Sequence, residues 1–381
     1  MDWITAPDNA GDALCDVVPS LLGAMGVPGF ANVLELPECR SAAVLLVDGL
    51  GWSLLREHAA DAPRLNELAH RGPLRAGFPA TTATSVTSLG TGTPAGQHGI
   101  VGYSFAEPAG GLVNPLRWAE QGGGKRSLLD RWPPEQAQPH PTALERAADA
   151  GVAVRTVAPG ELKDTGLTRA ALRGGEFRRT HATGDLVAEL LAALGEPAPV
   201  LCYGYHSQLD HLGHLHRPGS LSWRVQLQQI DQFTGALVDR LPRGTLLAVV
   251  ADHGMVAIDP PTTIDFDREA ELQRGVRLLG GEPRCRYVYT EPGALDDVAA
   301  AWRARLGEHG VVVTAERAFD EGWFGPRVDD PARERVGDLI AVLRDTGVSR
   351  SQQEPGESSL PGHHGSLTAE EQFVPLLLGV G

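Results

Sequence analysis

Short unbroken apolar runs alternate with amphipathic stretches through the first 259 residues. Ala43-Val44-Leu45-Leu46-Val47 and Leu246-Leu247-Ala248-Val249-Val250-Ala251 lack a polar face, as expected of strands covered on both sides in a parallel sheet. Val152–Val157 and Pro199–Tyr205 read as further strands. Helical periodicity covers Trp52–Ala60, Thr142–Ala150, Asp185–Leu194 and Leu221–Leu241. The alternation predicts an α/β domain, a mostly parallel sheet sandwiched by helices. The pattern changes after Asp259-Pro260-Pro261: Arg284–Thr290 (strand), Leu295–Leu306 (helix) and Gly310–Ala315 (strand) predict a compact β-α-β unit. A catalytic domain of residues 1–259 and 350–381 follows, with a small α+β cap inserted at 260–349 over its crevice. The segment Ser349–Pro361, rich in Ser, Gln, Glu and Pro, reads as a linker to a last strand at Val374–Val380. There is no internal repeat.

Polar residues able to hold a metal stand mostly where apolar runs end: Asp48, Asp210, His214, Asp252, His253 and His364. Loops at the carboxyl ends of the strands of an open α/β sheet form one crevice, so residues remote in sequence can meet there. Asp48-Gly49-Leu50-Gly51 sets a carboxylate beside two glycines that let the backbone pass close to a ligand, although Asp-Gly after a strand is commonly a plain turn. Asp210 and His214 lie four apart and can share one face of a helical turn. His206, His211 and His216 compete in the same window, each a ligand or a surface histidine, and the spacing favours Asp210 with His214. Asp252 and His253 can reach one ion only where the strand is turning, which Gly254 allows; otherwise the Asp orients a core His. His364 sits in a glycine-flanked loop, Gly362-His363-His364-Gly365, where a solvated histidine is the alternative. The hydroxyl-rich run from Thr81 to Ser88 opens a helix. Most of its hydroxyls serve as cap and close packing. One at the helix N-terminus would sit among free N–H groups at the positive end of the dipole, where a phosphoryl group also binds.

In this order the motifs resemble the type I phosphodiesterase/nucleotide pyrophosphatase branch of the alkaline phosphatase superfamily. The resemblance runs from Ala43 to Asp259 and resumes near Gly362, through Asp-Gly, a Thr-rich helix start, Thr91-Gly92, His98-Gly99-Ile100, Asp-x-x-Gly-His, Asp-His-Gly-Met and a late His-Gly. It implies two zinc ions, one held by Asp210, His214 and His364 and the other by Asp48, Asp252 and His253, with a threonine oxygen facing the second. Register from Thr91-Gly92 and His98-Gly99-Ile100 puts the nucleophile on Thr82, with Thr81 as the alternative, and makes His98 structural. The implied chemistry is two in-line phosphoryl transfers through a phosphothreonine, with retention at phosphorus. Imidazole and carboxylate ligands suit Zn²⁺, though other divalent metals fit the same donors, and the mixed set argues against an all-oxygen Mg²⁺ or Ca²⁺ cage. Nucleotide-cleaving relatives commonly carry an Asn three residues after the nucleophile; here Ser85 stands there, a shorter donor to a non-bridging phosphate oxygen. Trp323 and Phe324 in the insertion are candidates to stack on a base, although lone aromatics of this kind are more often core.

Composition narrows the alternatives. A chain of 381 residues with 42% apolar and 21% charged residues has room for a large core, and 46 Gly with 28 Pro imply many loops. A formal charge of −15 argues against a nucleic-acid polymer as partner, and the small phosphorylated substrate is what the resemblance implies. Cys15, Cys39, Cys202 and Cys285 are spread without a Cys-x-x-Cys pair and read as packing residues in a reducing compartment. Met1-Asp2-Trp3-Ile4-Thr5 has no basic leader region, and no apolar segment nears the roughly 20 residues of a membrane span, so the expected setting is the cytoplasm. Oligomeric state is not legible. A phosphomonoesterase, phosphonate hydrolase or phosphosugar mutase could use the same metal framework, and a binding module that has lost catalysis is the reading from another class. A sulfatase is disfavoured, since that branch needs a modified Cys or Ser within a Cys-x-Pro-x-Arg-like run and neither Cys39 nor Cys285 lies in one.

Overall fold

A computed structural model describes residues 3–5, 12–122 and 126–381; Met1 and Asp2, part of the stretch read for a leader, lie outside the described residues. Seven strands form the central sheet: β1 (Ser41–Val47), β2 (Ala69–Arg75), β3 (Ala153–Pro159), β4 (Glu176–Thr180), β5 (Val200–His206), β6 (Thr245–Val250) and, last in the chain, β11 (Phe373–Val380). Their order is β2-β11-β6-β1-β5-β3-β4. β1 pairs parallel with both β5 and β6, β3 pairs parallel with β4 and β5, and β11 runs antiparallel to β6 and β2. Every residue of β1 and β6 is buried, which is why both read as continuous apolar runs. The expected fold class is therefore present, with helices packed on the sheet.

Register sets up the site. Val47 lies opposite His206, and Leu46 lies opposite both Tyr205 and Val250. The chain thus leaves β1, β5 and β6 at one level, and Asp48 and Asp252 emerge side by side.

The inserted segment is richer than a β-α-β unit. It contains β7 (Val276–Glu282), β8 (Cys285–Thr290), β9 (Gly310–Thr314) and β10 (Leu339–Leu343) in an antiparallel sheet ordered β7-β8-β10-β9, with the helix Leu295–Leu306 between β8 and β9. β10 separates the two strands expected as neighbours. β7, which ends in Gly280-Gly281-Glu282, and β10 were not anticipated from the sequence. Two edge strands were also missed: β2 carries His70, Arg71, Gly72 and Pro73, and β4 carries Glu176, Arg178 and Arg179. Ser349, expected to open a linker, pairs with Asp265 in a short parallel ladder.

A second core joins this sheet to the segments flanking the Thr-rich helix. Phe78, Phe105, Trp118 and Trp132 pack there with Tyr287, Trp323 and Phe324. Trp323 and Phe324 are 2% and 1% exposed and meet the Phe78 ring edge-on at 5.2 and 5.1 Å, so they are core residues. The four cysteines are unpaired. Among the described residues no helix is long and apolar enough to cross a membrane.

Candidate active site

Asp48, Asp252 and His253 occupy the ends of β1 and β6. Asp252 Oδ1 accepts the backbone N–H groups of Gly49 and His253, each at 3.1 Å. Tyr205, at the end of β5, donates its hydroxyl to Asp48 Oδ2 at 2.5 Å. The other oxygens, Asp48 Oδ1 and Asp252 Oδ2, are buried without a hydrogen-bond partner, 3.5 and 3.4 Å from His253 Nε2. His253 Nδ1 lies 3.0 Å from the carbonyl of Gly254, an acceptor only, which places the proton on Nδ1 and turns the Nε2 lone pair toward the carboxylates. Burial, then the charges of Asp252 and Asp210, push the Asp48 carboxyl well above its usual range. Two unpaired carboxylate oxygens facing an imidazole lone pair repel one another, and a cation among them removes the repulsion. The residues therefore fit a metal ion. Gly49 is required: φ is +75°, and a Cβ would lie 2.9 Å from Asp210 Cα.

The helix Gln208–His216 brings in Asp210 and, one turn later, His214, whose Nε2 is 3.4 Å from Asp210 Oδ1. His214 Nδ1 donates to the carbonyl of Gly362 at 2.8 Å. His364 enters from the loop before β11, donates Nδ1 to Ala80 O at 2.8 Å and stacks on His253 with ring centres 3.6 Å apart. Its Nε2 lies 3.9 Å from Asp210 Oδ1, which is itself buried and unpartnered. Burial, followed by the neighbouring His253 and His214, holds the His364 imidazole well below the usual range, in the neutral form a ligand needs.

All six residues singled out from the sequence thus meet in one place. The tightest groups by mutual distance are Asp48, Asp252 and His253, and Asp210, His253 and His364, so that His253 belongs to both. One Nε2 lone pair serves one ion. The rival histidines stay outside: His211 and His216 are exposed, and His206 packs against Phe233 at 5.2 Å, where burial lowers it to about 4.

Thr82 is the first residue of the helix Thr82–Thr91, and its Oγ1 lies 3.3 Å from His253 Nε2. Thr81 is buried at the N-cap with its hydroxyl on the Glu282 carboxyl. Ser85 is not brought to the site: it is fully buried, its Oγ turned to Ala76 O at 3.5 Å, and it lines neither cavity beside Thr82. His98 bonds Ser88 at 2.9 Å and accepts the N–H of Ile100, a structural arrangement in which burial lowers it to about 3.

Two cavities open on Thr82, with Leu116 common to both. One, about 250 Å³, is walled by Val86, Leu167, Leu172, Phe177, Tyr203 and Tyr205. The other, about 180 Å³, is lined by Asp210, His214 and His364 and by Tyr103, Glu282 and Glu357. Tyr205, Tyr103 and Glu282 were missed by sequence reasoning. A hydroxyl at a strand end five residues before Asp210 was a usable signal for Tyr205; nothing local marks Glu282.

Comparison with known proteins adds a lineage. The family model described as type I phosphodiesterase/nucleotide pyrophosphatase matches residues 42–367. Solved structures with the same fold include murine ectonucleotide pyrophosphatase/phosphodiesterase 5, at TM-score 0.68 and 18% identity over 90% of this chain and 88% of that one. An inactive threonine-to-alanine variant of that protein, in complex with AMP, matches with the same score and identity over 88% of this chain and 87% of its own. Curated relatives match over shorter stretches. The catalytic subunit of human GPI ethanolamine phosphate transferase 3 is 36% identical over 84 residues, 22% of this chain and 7% of that protein. Phosphopentomutase of Anaeromyxobacter dehalogenans (strain 2CP-C) is 30% identical over 202 residues, half of each chain. The chain thus spans at most half the length of these relatives.

Proposed function

The chain belongs to the type I phosphodiesterase/nucleotide pyrophosphatase family, a family of phosphoric-ester hydrolases, and from that premise we propose that it cleaves phosphodiester or pyrophosphate bonds of small substrates through a phosphothreonine at Thr82. Asp48, Asp252 and His253 would hold one zinc ion, and Asp210, His214 and His364 a second. His253, nearer the Asp48 and Asp252 oxygens, goes to the first, which leaves His214 as the imidazole open to Asp210 and His364. When bound, such ions offset the carboxylate charge and lower the pKa of an alcohol and of water. Thr82 Oγ1 then displaces the leaving alcohol from phosphorus; its O–P bond forms as the ester P–O bond breaks, and the leaving oxygen takes up a proton. Water next displaces Thr82 from phosphorus, and two inversions give net retention.

The observation that carries the reading is the position of Thr82 Oγ1, at a helix N-terminus and 3.3 Å from His253 Nε2, while the Thr81 hydroxyl is engaged by Glu282. The inactivity of the threonine-to-alanine variant of the murine protein supports it. Two cavities that both open on Thr82 give room for both substituents of a diester, which favours a diesterase over a monoesterase, a phosphonate hydrolase or a mutase such as phosphopentomutase. Residues 260–349 act as a cap that supplies Glu282 to the second cavity. The four free cysteines support a reducing compartment, the cytoplasm.

The test is zinc stoichiometry together with turnover of a bis-aryl phosphate and an aryl monophosphate. Faster monoester cleavage would overturn the diesterase reading, and two bound zinc ions without turnover would point to a binding module. Thr82→Ala should be inactive; near-normal turnover in it with Thr81→Ala inactive would move the nucleophile.

A further inference from the structure

The smaller cavity carries information on the leaving group, and the inference rests on the phosphodiesterase reading. It is lined by Asp210, His214 and His364 together with Glu282, Glu357, Tyr103 and apolar Leu116 and Leu360; no Lys or Arg lines it. Glu282 is 95% buried, and its Oε1 has no hydrogen-bond partner. Glu357 Oε1 is likewise buried and unpartnered. Protein donors reach the remaining capacity of these carboxylates but not these oxygens. Thr81 bonds Glu282, Arg286 donates to Glu357 Oε2 at 2.5 Å, and the N–H of Arg350 donates to the same oxygen at 3.2 Å. Arg286 is otherwise spent on the carbonyls of Val348 and Gly281. Arg286 makes direct contact with Glu357 alone, so two buried carboxylate oxygens without a partner belong to residues that line the cavity beside Asp210, His214 and His364. Unmatched buried acceptors of this kind are retained where a ligand completes them.

We propose that this cavity selects a leaving group bearing a cationic amine, an alkylammonium alcohol in chemical class, and disfavours leaving groups that carry further negative charge. Glu282 and Glu357 supply the counter-charge, and the Tyr103 ring offers a face to the ammonium. The bond changes are those of the proposed hydrolysis: the ester P–O bond breaks, and the amino alcohol departs with the proton its oxygen takes up. The adjoining apolar cavity keeps the retained substituent. Nucleoside triphosphates, whose leaving group is a polyanion, are on this basis poor substrates.

Methyl aryl phosphodiesters test this directly, because the aryl group always leaves. Three are compared: the aryl ring carries a trimethylammonium, an isosteric tert-butyl or a carboxylate group. Glu357→Gln and Glu282→Gln serve as internal controls for differences in phenol acidity, each checked for zinc content and thermal unfolding. The wild type should prefer the ammonium over the tert-butyl substrate by about tenfold more than either variant does. Its disadvantage with the carboxylate substrate should shrink in both variants. Identical substrate ratios in wild type and variants would overturn the proposal while leaving the diesterase intact. Absence of Thr82-dependent turnover with all three substrates would instead sink the diesterase reading. If neither variant folds, the wild type decides. Inhibition by tetramethylammonium ion competitive with bis(4-nitrophenyl) phosphate, without matching inhibition by 3,3-dimethylbutanol, supports the cationic pocket, and equal or absent inhibition by the two overturns it.

Discussion

Replacing Arg284 by Met should damage the protein well beyond the contacts it deletes. Arg284 and Glu371 form a wholly buried pair, Nε to Oε1 at 3.0 Å and Nη2 to Oε2 at 2.7 Å. The guanidinium also caps the carbonyls of Thr346 and Arg344. Glu371 in turn accepts the N–H of Ser366 at 3.0 Å and the hydroxyl of Thr368 at 2.7 Å, which holds the loop carrying His364. Methionine fills the volume but strands the carboxylate, and breaking a buried pair from one side costs about 3–5 kcal/mol. With the unfolding entropy of roughly 0.8 kcal/mol/K expected for a chain of this length, about 4 kcal/mol lowers Tm by about 5 °C. Thermal unfolding monitored with zinc retention against a chelator is the assay, and both readouts should fall together. Adding Glu371→Gln keeps an acceptor for Ser366 and removes the stranded charge, so the double variant should regain more than half of the loss. A single variant within about 1 kcal/mol of wild type would refute the reasoning, because the carboxylate would then have found solvent or another donor.

Three further outcomes follow from the site. Tyr205→Phe removes the 2.5 Å donor to Asp48 Oδ2 and should weaken zinc affinity by about 10–100-fold in a competition titration, with little change in fold. Gly365→Ala faces a φ of +127° and a Cβ 2.7 Å from Glu282 Cδ, so it should cost about 2–3 kcal/mol in thermal unfolding and lower zinc occupancy; an unchanged Tm would contradict the close approach. In the metal-free protein, Asp48 is raised above its ordinary value of 3.8 by burial and by Asp252 and Asp210, so the fold prefers its neutral form. That preference costs nothing below 3.8 and becomes a penalty as the pH climbs toward the raised value. Metal-free Asp48→Asn should therefore unfold at a higher temperature than metal-free wild type at about pH 7, with the gap closing by about pH 4; a gap independent of pH would remove Asp48 as its source.

The division between what the chain announced and what it hid follows the range of the interactions. β1 and β6 were legible because burial on both faces writes a continuous apolar run into local sequence, and the residue ending each run had to lie at the rim of the crevice. β2 and β4 were not, because an edge strand lies partly open to solvent and can carry His70, Arg71, Glu176 or Arg178. The six polar residues at the rim were found one motif at a time, yet their sharing was invisible: only in the folded chain does His253, stacked on His364 at 3.6 Å, lie close enough to both groups to be a member of each. Glu282 lay beyond local reading for the same reason. It sits at the end of a strand in the insertion, 3.5 Å from His364 Nδ1, and 82 positions of sequence separate the two residues. Substitution at a residue found by motif should then remove turnover outright, whereas substitution at Glu282 or Glu357 should redistribute it among substrates. In this fold the crevice of the parallel sheet gathers Asp48, Asp210, His214, Asp252, His253 and His364, and the inserted sheet, bound to the same loops through Arg284 and Glu282, forms part of the wall of the smaller cavity.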